Sequence, residues 1–280
     1  MNRADSTTRA LIIRSLVEGN SIRATARLTG VAVNTVVKMV VDAGEACADY
    51  MDRTMRNLAC QRMQADEIWS FVGCKQKQVT VEKMEAGICG DVWTFTVIDA
   101  NTKLIPCWLV GRRDAGCATD FIQDLASRLT NRIQLTTDGH KMYLTAVPDG
   151  FGEDIDYAML VKIYGNDPES EKRYSPAICN GCKKENKIGN PDPKHISTSY
   201  VERSNLSIRM GTRRFTRLTN AFSKKIDSHA HAVALYFLFY NFARVHQTLG
   251  KTPAMAAGIE TKKWEMADIV AMIDEYQKSN

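Results

Sequence analysis

A chain of 280 residues, 44% of them hydrophobic, can bury one substantial core and a smaller accessory domain, and 25% charged residues is an ordinary soluble composition. The longest apolar run, residues 232–240, is too short to span a bilayer, and Arg14 interrupts the apolar stretch near the N-terminus, which predicts a soluble protein with no targeting segment and no membrane partner. The eight cysteines are scattered, unlike those of a disulfide scaffold, and place the chain in a reducing cytoplasm, and the net charge of +5 is only mildly basic.

Along the chain, Leu11, Ile12, Leu16 and Val17 fall at helical spacing until Gly19-Asn20. Ser21 reads as the N-cap of a second short helix stopped by Gly30, and Asn34 as the cap of a third through Val36, Val37, Val40 and Val41. The sequence therefore predicts an all-α helix-turn-helix domain over 1–45. In such a motif the start of the last helix enters the major groove, making Asn34, Thr35 and Lys38 the candidate base or phosphate contacts. A polar helical linker is expected over 46–62.

From there the periodicity changes. Strand-like runs occur at 63–72, 92–98 and 104–110, the last two joined by a turn; a helix follows at 118–129, a fourth strand at 133–137 and a fifth at 157–164. Residues 165–197 read as an inserted loop, since 165–194 alone hold four of the seven prolines and three glycines. Long helices are expected at 199–214 and 227–242, and a closing helix at about 263–276. Three strands, a helix, a strand, a short helix, a strand and then helices form the order of a ribonuclease H-like α/β fold, a mixed sheet flanked by helices. The corresponding division is a catalytic domain over 63–260 and a C-terminal helical segment over 261–280.

Phosphodiester chemistry on DNA calls for two hard divalent cations held close together by carboxylates from separate elements. Asp66 lies in the first strand, Asp138 at the end of the fourth and Glu202 near the start of a helix, and the first and fourth strands of this fold are neighbours. Each acid also has a plainer explanation. Glu67 stands beside Asp66, and strand alternation points only one of the two at the site. Asp138-Gly139 is a turn pair in many proteins, and Glu202 is a favourable charge in a helix's first turn. Between Lys194 and Lys225, eight Lys or Arg face a single acid, Glu202. That is either the footprint of a phosphate backbone or a solvated helix face.

The stretches Asp66-Glu67-Ile68-Trp69-Ser70-Phe71-Val72-Gly73, Thr137-Asp138-Gly139 and Ser199-Tyr200-Val201-Glu202-Arg203-Ser204-Asn205 resemble the catalytic blocks of transposases of the insertion-sequence-one family. So does the basic run from Arg213 through Arg214, Arg217 and Lys224 to Lys225. Tyr240-Asn241-Phe242-Ala243-Arg244-Val245-His246, with Thr252-Pro253-Ala254 behind it, is similar to the end of many transposase and integrase catalytic domains. The resemblance covers most of residues 60–260. It implies a D-D-E enzyme with Asp66, Asp138 and Glu202 as catalytic metal ligands for two Mg2+ ions, with Mn2+ as a substitute. It also implies a phosphate-holding basic residue seven positions after the glutamate, here Arg209, about two helical turns along the same face. With double-stranded DNA as partner, Arg203, Arg213, Arg214, Arg217, Lys224 and Lys225 are further contacts. Joining two element ends implies at least a homodimer.

The rival readings are a sequence-specific DNA-binding protein that keeps this fold as a scaffold and a structure-specific nuclease of the same fold that cleaves without joining. Cys179 and Cys182, with His195 as a distant third ligand, fall short of the four ligands of a structural zinc site and are expected to lie in a loop. His229 and His231 are expected in a core or on a helix face, Trp69 and Trp93 in the core, and Arg244 and His246 fixing a turn.

Overall fold

The computed structural model describes residues 4–85, 89–164, 179–216 and 219–279. Three helices open the chain: α1 (Ser6–Val17), α2 (Ile22–Thr29) and α3 (Val33–Thr54). Asp5 caps α1 by accepting from the Thr8 N–H at 2.9 Å, and Ser21 caps α2 by accepting from that of Ala24 at 3.1 Å. Gly30 closes α2 in the left-handed conformation at φ 70°, where a side chain is strained, and α3 departs at 113° to α2.

The expected cap of α3 at Asn34 is corrected: Ala32 holds that position without a side-chain bond, and Asn34 sits inside the first turn. Nor does α3 stop near residue 45. Ala46, Cys47 and Met51 are buried, so the segment read as a polar linker carries an apolar face and prolongs the helix to Thr54.

The sheet follows as β1 (Arg62–Val72), a short α4 (Val81–Glu85), β2 (Gly90–Asp99) and β3 (Trp108–Gly111). Helix α5 (Ala115–Ser127), β4 (Gln134–Asp138), α6 (Tyr143–Phe151), β5 (Asp156–Tyr164) and β6 (Cys179–Ile188) complete it. Helices α7 (Ser199–Gly211), α8 (Ile226–Leu238), α9 (Pro253–Ala256) and α10 (Met266–Ser279) end the chain. Strand order is β3-β2-β1-β4-β5-β6, antiparallel from β3 to β1, parallel from β1 to β5 and antiparallel again at β6. This six-stranded mixed sheet flanked by helices is compatible with a ribonuclease H-like fold.

Two expectations change here. Strand β3 is shorter than expected because Leu104 to Cys107 leave the ladder; buried Asn241 instead brackets Ile105, accepting from its N–H at 3.0 Å and donating to its carbonyl at 2.9 Å. The insert read as loop contains β6, a polar edge strand paired along β5; residues 165–178 lie outside the described ones.

One continuous core joins the N-terminal helices to the rest, from Ile12 and Val36 through Phe95, Phe121 and Tyr143 to Phe237 and Ile273. Arg9 of α1 forks onto Asp274 of α10 at 2.6 and 2.7 Å, and Gly44 of α3 admits His231 of α8 so closely that a Cβ there would lie 2.3 Å from the histidine Cβ. Among the described residues, no single helix is long and apolar enough to cross a membrane.

Candidate metal and nucleic-acid site

Strand β1 places the first acid at the centre of the sheet. Its parallel register with β4 runs to Ala65 opposite Thr137, so Asp66 and Asp138 follow at the same level on adjacent strands. Asp66 pairs across β2 with Thr96, and Glu67 with Phe95, which puts Asp66 on the α7 face and Glu67 on the face where Phe95 meets Phe121 of α5. The alternation expected from sequence thus holds for the side chains' departure. It does not keep Glu67 away, because Asp138 ends its strand and can be approached from both faces: ligand oxygens of Asp66, Glu67 and Asp138 all lie within 4.8 Å of one another.

Each acid is held by named donors. Asp66 Oδ2 accepts from Asn205 Nδ2 of α7 at 2.8 Å and its Oδ1 from the Glu67 N–H at 2.8 Å, while Thr96 Oγ1 donates to Asn205 Oδ1 at 3.2 Å and fixes the amide. Asp138 Oδ1 accepts from the His140 N–H at 3.0 Å. Glu67 Oε1 accepts from the Tyr143 hydroxyl of α6, and its Oε2 accepts from Arg113 Nε at 3.0 Å, with Nη2 of the same guanidinium in ion-pair contact at 2.9 Å. The same guanidinium nitrogen lies 3.6 Å from Asp138 Oδ2, and the Arg113 side chain lies over the Trp93 ring at 4.4 Å.

Crowding of acids in a half-dry place has electrostatic consequences. Burial, then the neighbouring Asp138 charge, pushes Asp66 up to about 6; burial and Asp138 likewise push Glu67 up to about 7 despite Arg113. Burial and Arg113 hold His140 below its ordinary value even though Asp138 is adjacent. A pair of half-buried carboxylates whose ionised forms repel each other suits a hard divalent cation, for which oxygen donors are the preferred ligands.

Glu202 stands in the first turn of α7, which packs on β1 and β2, and its charge contributes to the rise of Asp66. It is outside the close group: its Oε1 accepts from Lys162 Nζ of β5 at 2.6 Å and from the Thr198 hydroxyl. Helix α7 lacks a cap from its own Thr198; instead Gln64 of β1 accepts from the N–H groups of Tyr200 at 2.7 Å and Val201 at 3.2 Å, tying Glu202's helix to Asp66's strand.

The basic residues divide. Arg203 is exposed and Arg209 half-buried on α7. Arg213, Lys224 and Lys225 line a cleft of about 860 Å³ whose other wall includes Arg23, Val33 and Val37 of the N-terminal helices. Asn34, Thr35 and Lys38 are exposed, with Lys38 on Asp42 at 2.6 Å. Arg214 departs from the expected outward role: it donates to Ser223 Oγ at 2.9 Å, and burial lowers it to about 10. Arg217 lies outside the described residues.

Buried His229 bonds Ser70 Oγ at 3.2 Å and Ser223 Oγ at 3.0 Å and is lowered by burial to about 3, a neutral core histidine. Cys179 and Cys182 stand on β6, while His195 contacts Arg62 and Asp192, so a three-ligand set does not assemble there among the described residues.

Sequence sets Glu67 aside in favour of Asp66, and it does not single out Arg113, Tyr143, Gln64, Asn205 or Lys162. One signal was available for the first: an ionisable side chain on the core-facing side of an apolar strand requires a buried partner.

Compared with known proteins, the chain matches no family model and no curated protein. Among solved structures it is similar to a piggyBac transposase in a synaptic complex with hairpin DNA, at 8% identity and a TM-score of 0.39 over 98% of this chain and 72% of that one. It is also similar to an endonuclease V from Bacillus subtilis, at 16% identity and a TM-score of 0.25 over 69% of this chain and 88% of that one.

Proposed function

We propose that this chain is a DNA transposase of the D-D-E kind, resembling the insertion-sequence-one family, in which Asp66, Asp138 and Glu202 hold two Mg2+ ions. The observation that carries the reading is the level placement of Asp66 and Asp138 on neighbouring parallel strands, with the helix of Glu202 bonded to the first of them through Gln64 and Asn205. Mg2+ bound there, or Mn2+ in its place, supplies activation of the attacking oxygen and neutralisation of the leaving one.

The chain's own work is positioning. Asn205 holds Asp66 by its Oδ2, Gln64 fixes the start of α7, and Glu202 would exchange its bonds to Lys162 and Thr198 for the metal to join the pair. Arg203 and Arg209 on α7, together with Arg213, Lys224 and Lys225, hold backbone phosphates of duplex DNA. The three N-terminal helices, the last of which runs on to Thr54, act as the helix-turn-helix module that reads the element's ends through Asn34, Thr35 and Lys38, and residues 63–260 carry the chemistry. Hydrolysis at each end exposes a 3′-OH, which then attacks a target phosphodiester in line, without a covalent protein intermediate. Two ends require at least a homodimer, working on DNA in the cytoplasm.

The test is strand transfer in Mg2+ on labelled DNA carrying the sequences that flank the gene, by wild type and Asp138→Ala. Cleaved and joined product from wild type alone is expected. Tight binding without cleavage by either protein would replace this reading with that of a DNA-binding protein on the same scaffold.

A further inference from the structure

Three carboxylates as ligands leave a fourth, Glu67, without a role, although one of its oxygens lies within 4.8 Å of those of both Asp66 and Asp138. Its bonding argues against a place among the ligands. The side chain is 0% exposed, Oε1 takes the Tyr143 hydroxyl, and Oε2 takes two nitrogens of Arg113, so a cation could bind it only by displacing a guanidinium from a dry site. What Glu67 does is immobilise Arg113. The guanidinium is gripped along its Nε–Nη2 edge by the carboxylate and laid over Trp93, yet the side chain keeps 29% exposure and reaches Asp138 at 3.6 Å.

A buried ion pair contributes little to stability, because desolvation of both charges offsets their attraction. The return on this one lies in where it leaves the cation: rigid, partly open and beside Asp138. A planar guanidinium with donors left over is the side chain best suited to a phosphate, and a charge already fixed in place needs no reorganisation when negative charge builds on the phosphate oxygens.

We propose that Arg113 is a catalytic residue whose guanidinium, clamped by Glu67 and Trp93, donates to a non-bridging oxygen of the DNA phosphodiester brought to Asp66 and Asp138. The proposal rests on the DNA-processing function above. It divides the site into a cation-binding side around Asp66 and an anion-binding side at Arg113, with Asp138 between them.

The experiment is binding of a short labelled DNA duplex in EDTA across a series of KCl concentrations, by wild type, Arg113→Gln and Arg113→Lys, with melting temperatures to establish folding. The expected result is that Arg113→Gln binds roughly tenfold more weakly at low salt and that its slope of log affinity against log salt falls by about 0.9, the loss of one phosphate contact. Arg113→Lys, which keeps the charge, is expected to keep the wild-type slope. An unchanged slope in a folded Arg113→Gln protein would overturn the proposal and leave Arg113 as Glu67's counter-ion. Wild-type protein that binds no DNA at all would instead defeat the proposed function.

Discussion

The two sides of the carboxylate site hold their acids by opposite means. On the α7 side, Asp66 is oriented by neutral donors, the Asn205 amide and a backbone N–H, with Thr96 locking the amide. On the α6 side, Asp138 and Glu67 face the charged fork of Arg113, with the Tyr143 hydroxyl completing the grip. Neutral donors aim a carboxylate without cancelling its charge, whereas a guanidinium cancels it. The contrast is compatible with a cation on the Asp66 side and, as proposed above, an anion on the Arg113 side, with Asp138 between them.

The sharpest way to break this comparison is at Asn205. Replacing it by the similarly sized Leu removes the donor that aims Asp66 and leaves the Thr96 hydroxyl with the Asp66 carbonyl, 3.3 Å away, as its remaining acceptor. Outer partners of metal ligands typically cost roughly 10- to 100-fold in metal affinity when lost, and a loss in that range is expected for Asn205→Leu in a calorimetric Mg2+ titration without DNA. An unchanged affinity would remove Asp66 from the ligand set.

Next in size is a pH effect. Asp66 and Glu67 have folded-state values raised to about 6 and about 7, above those of ordinary carboxyls. Raised acids stabilise the fold fully below their unfolded values, and that stability is lost as pH rises through the folded values. The metal-free protein should therefore melt at progressively lower temperature between about pH 4 and pH 7, with a shallower fall in Asp66→Asn. Mg2+ favours ionised Asp66, so its stabilising effect should grow over the same interval. Melting curves with and without Mg2+ check both statements, and a flat metal-free profile would mean that the acids are better solvated than their burial implies.

Legibility in the sequence followed the range of each interaction. Strands β1, β4 and β5 announced themselves by local apolar runs, and Asp66 and Asp138, whose oxygens the sheet brings within 4.8 Å, by short motifs around each; Glu202, read from a similar motif, stands outside that close group. The groups that orient them were silent, since Arg113 and Tyr143 reach Glu67 from 46 and 76 positions away and Asn205 reaches Asp66 from 139. Strand β6 was invisible for a different reason: as an edge strand bearing Lys183, Lys184, Glu185 and Lys187 it buries too little to impose a hydrophobic alternation, and charges on an edge also discourage pairing with another chain. The Asn34 cap failed because Ala32, two positions earlier, already has the extended backbone that starts a helix.

The smallest effect concerns how the two sides are kept in register. Gln64 is 4% exposed on β1, two residues before Asp66 and on the same face, and its carbonyl stands in for the missing cap of α7. Gln64→Leu leaves the Tyr200 and Val201 N–H groups without that acceptor, and the expected cost is about 1 to 2 kcal/mol in urea unfolding, the range for a lost helix cap. Because Glu202 lies on the first turn that Gln64 holds, the same variant should weaken Mg2+ binding, but less than Asn205→Leu does, since Asp66 keeps its own donors. A larger loss from Gln64→Leu than from Asn205→Leu would shift the weight of cation binding from Asp66 to Glu202, and the neutral side of the site would then owe its cation preference to the helix.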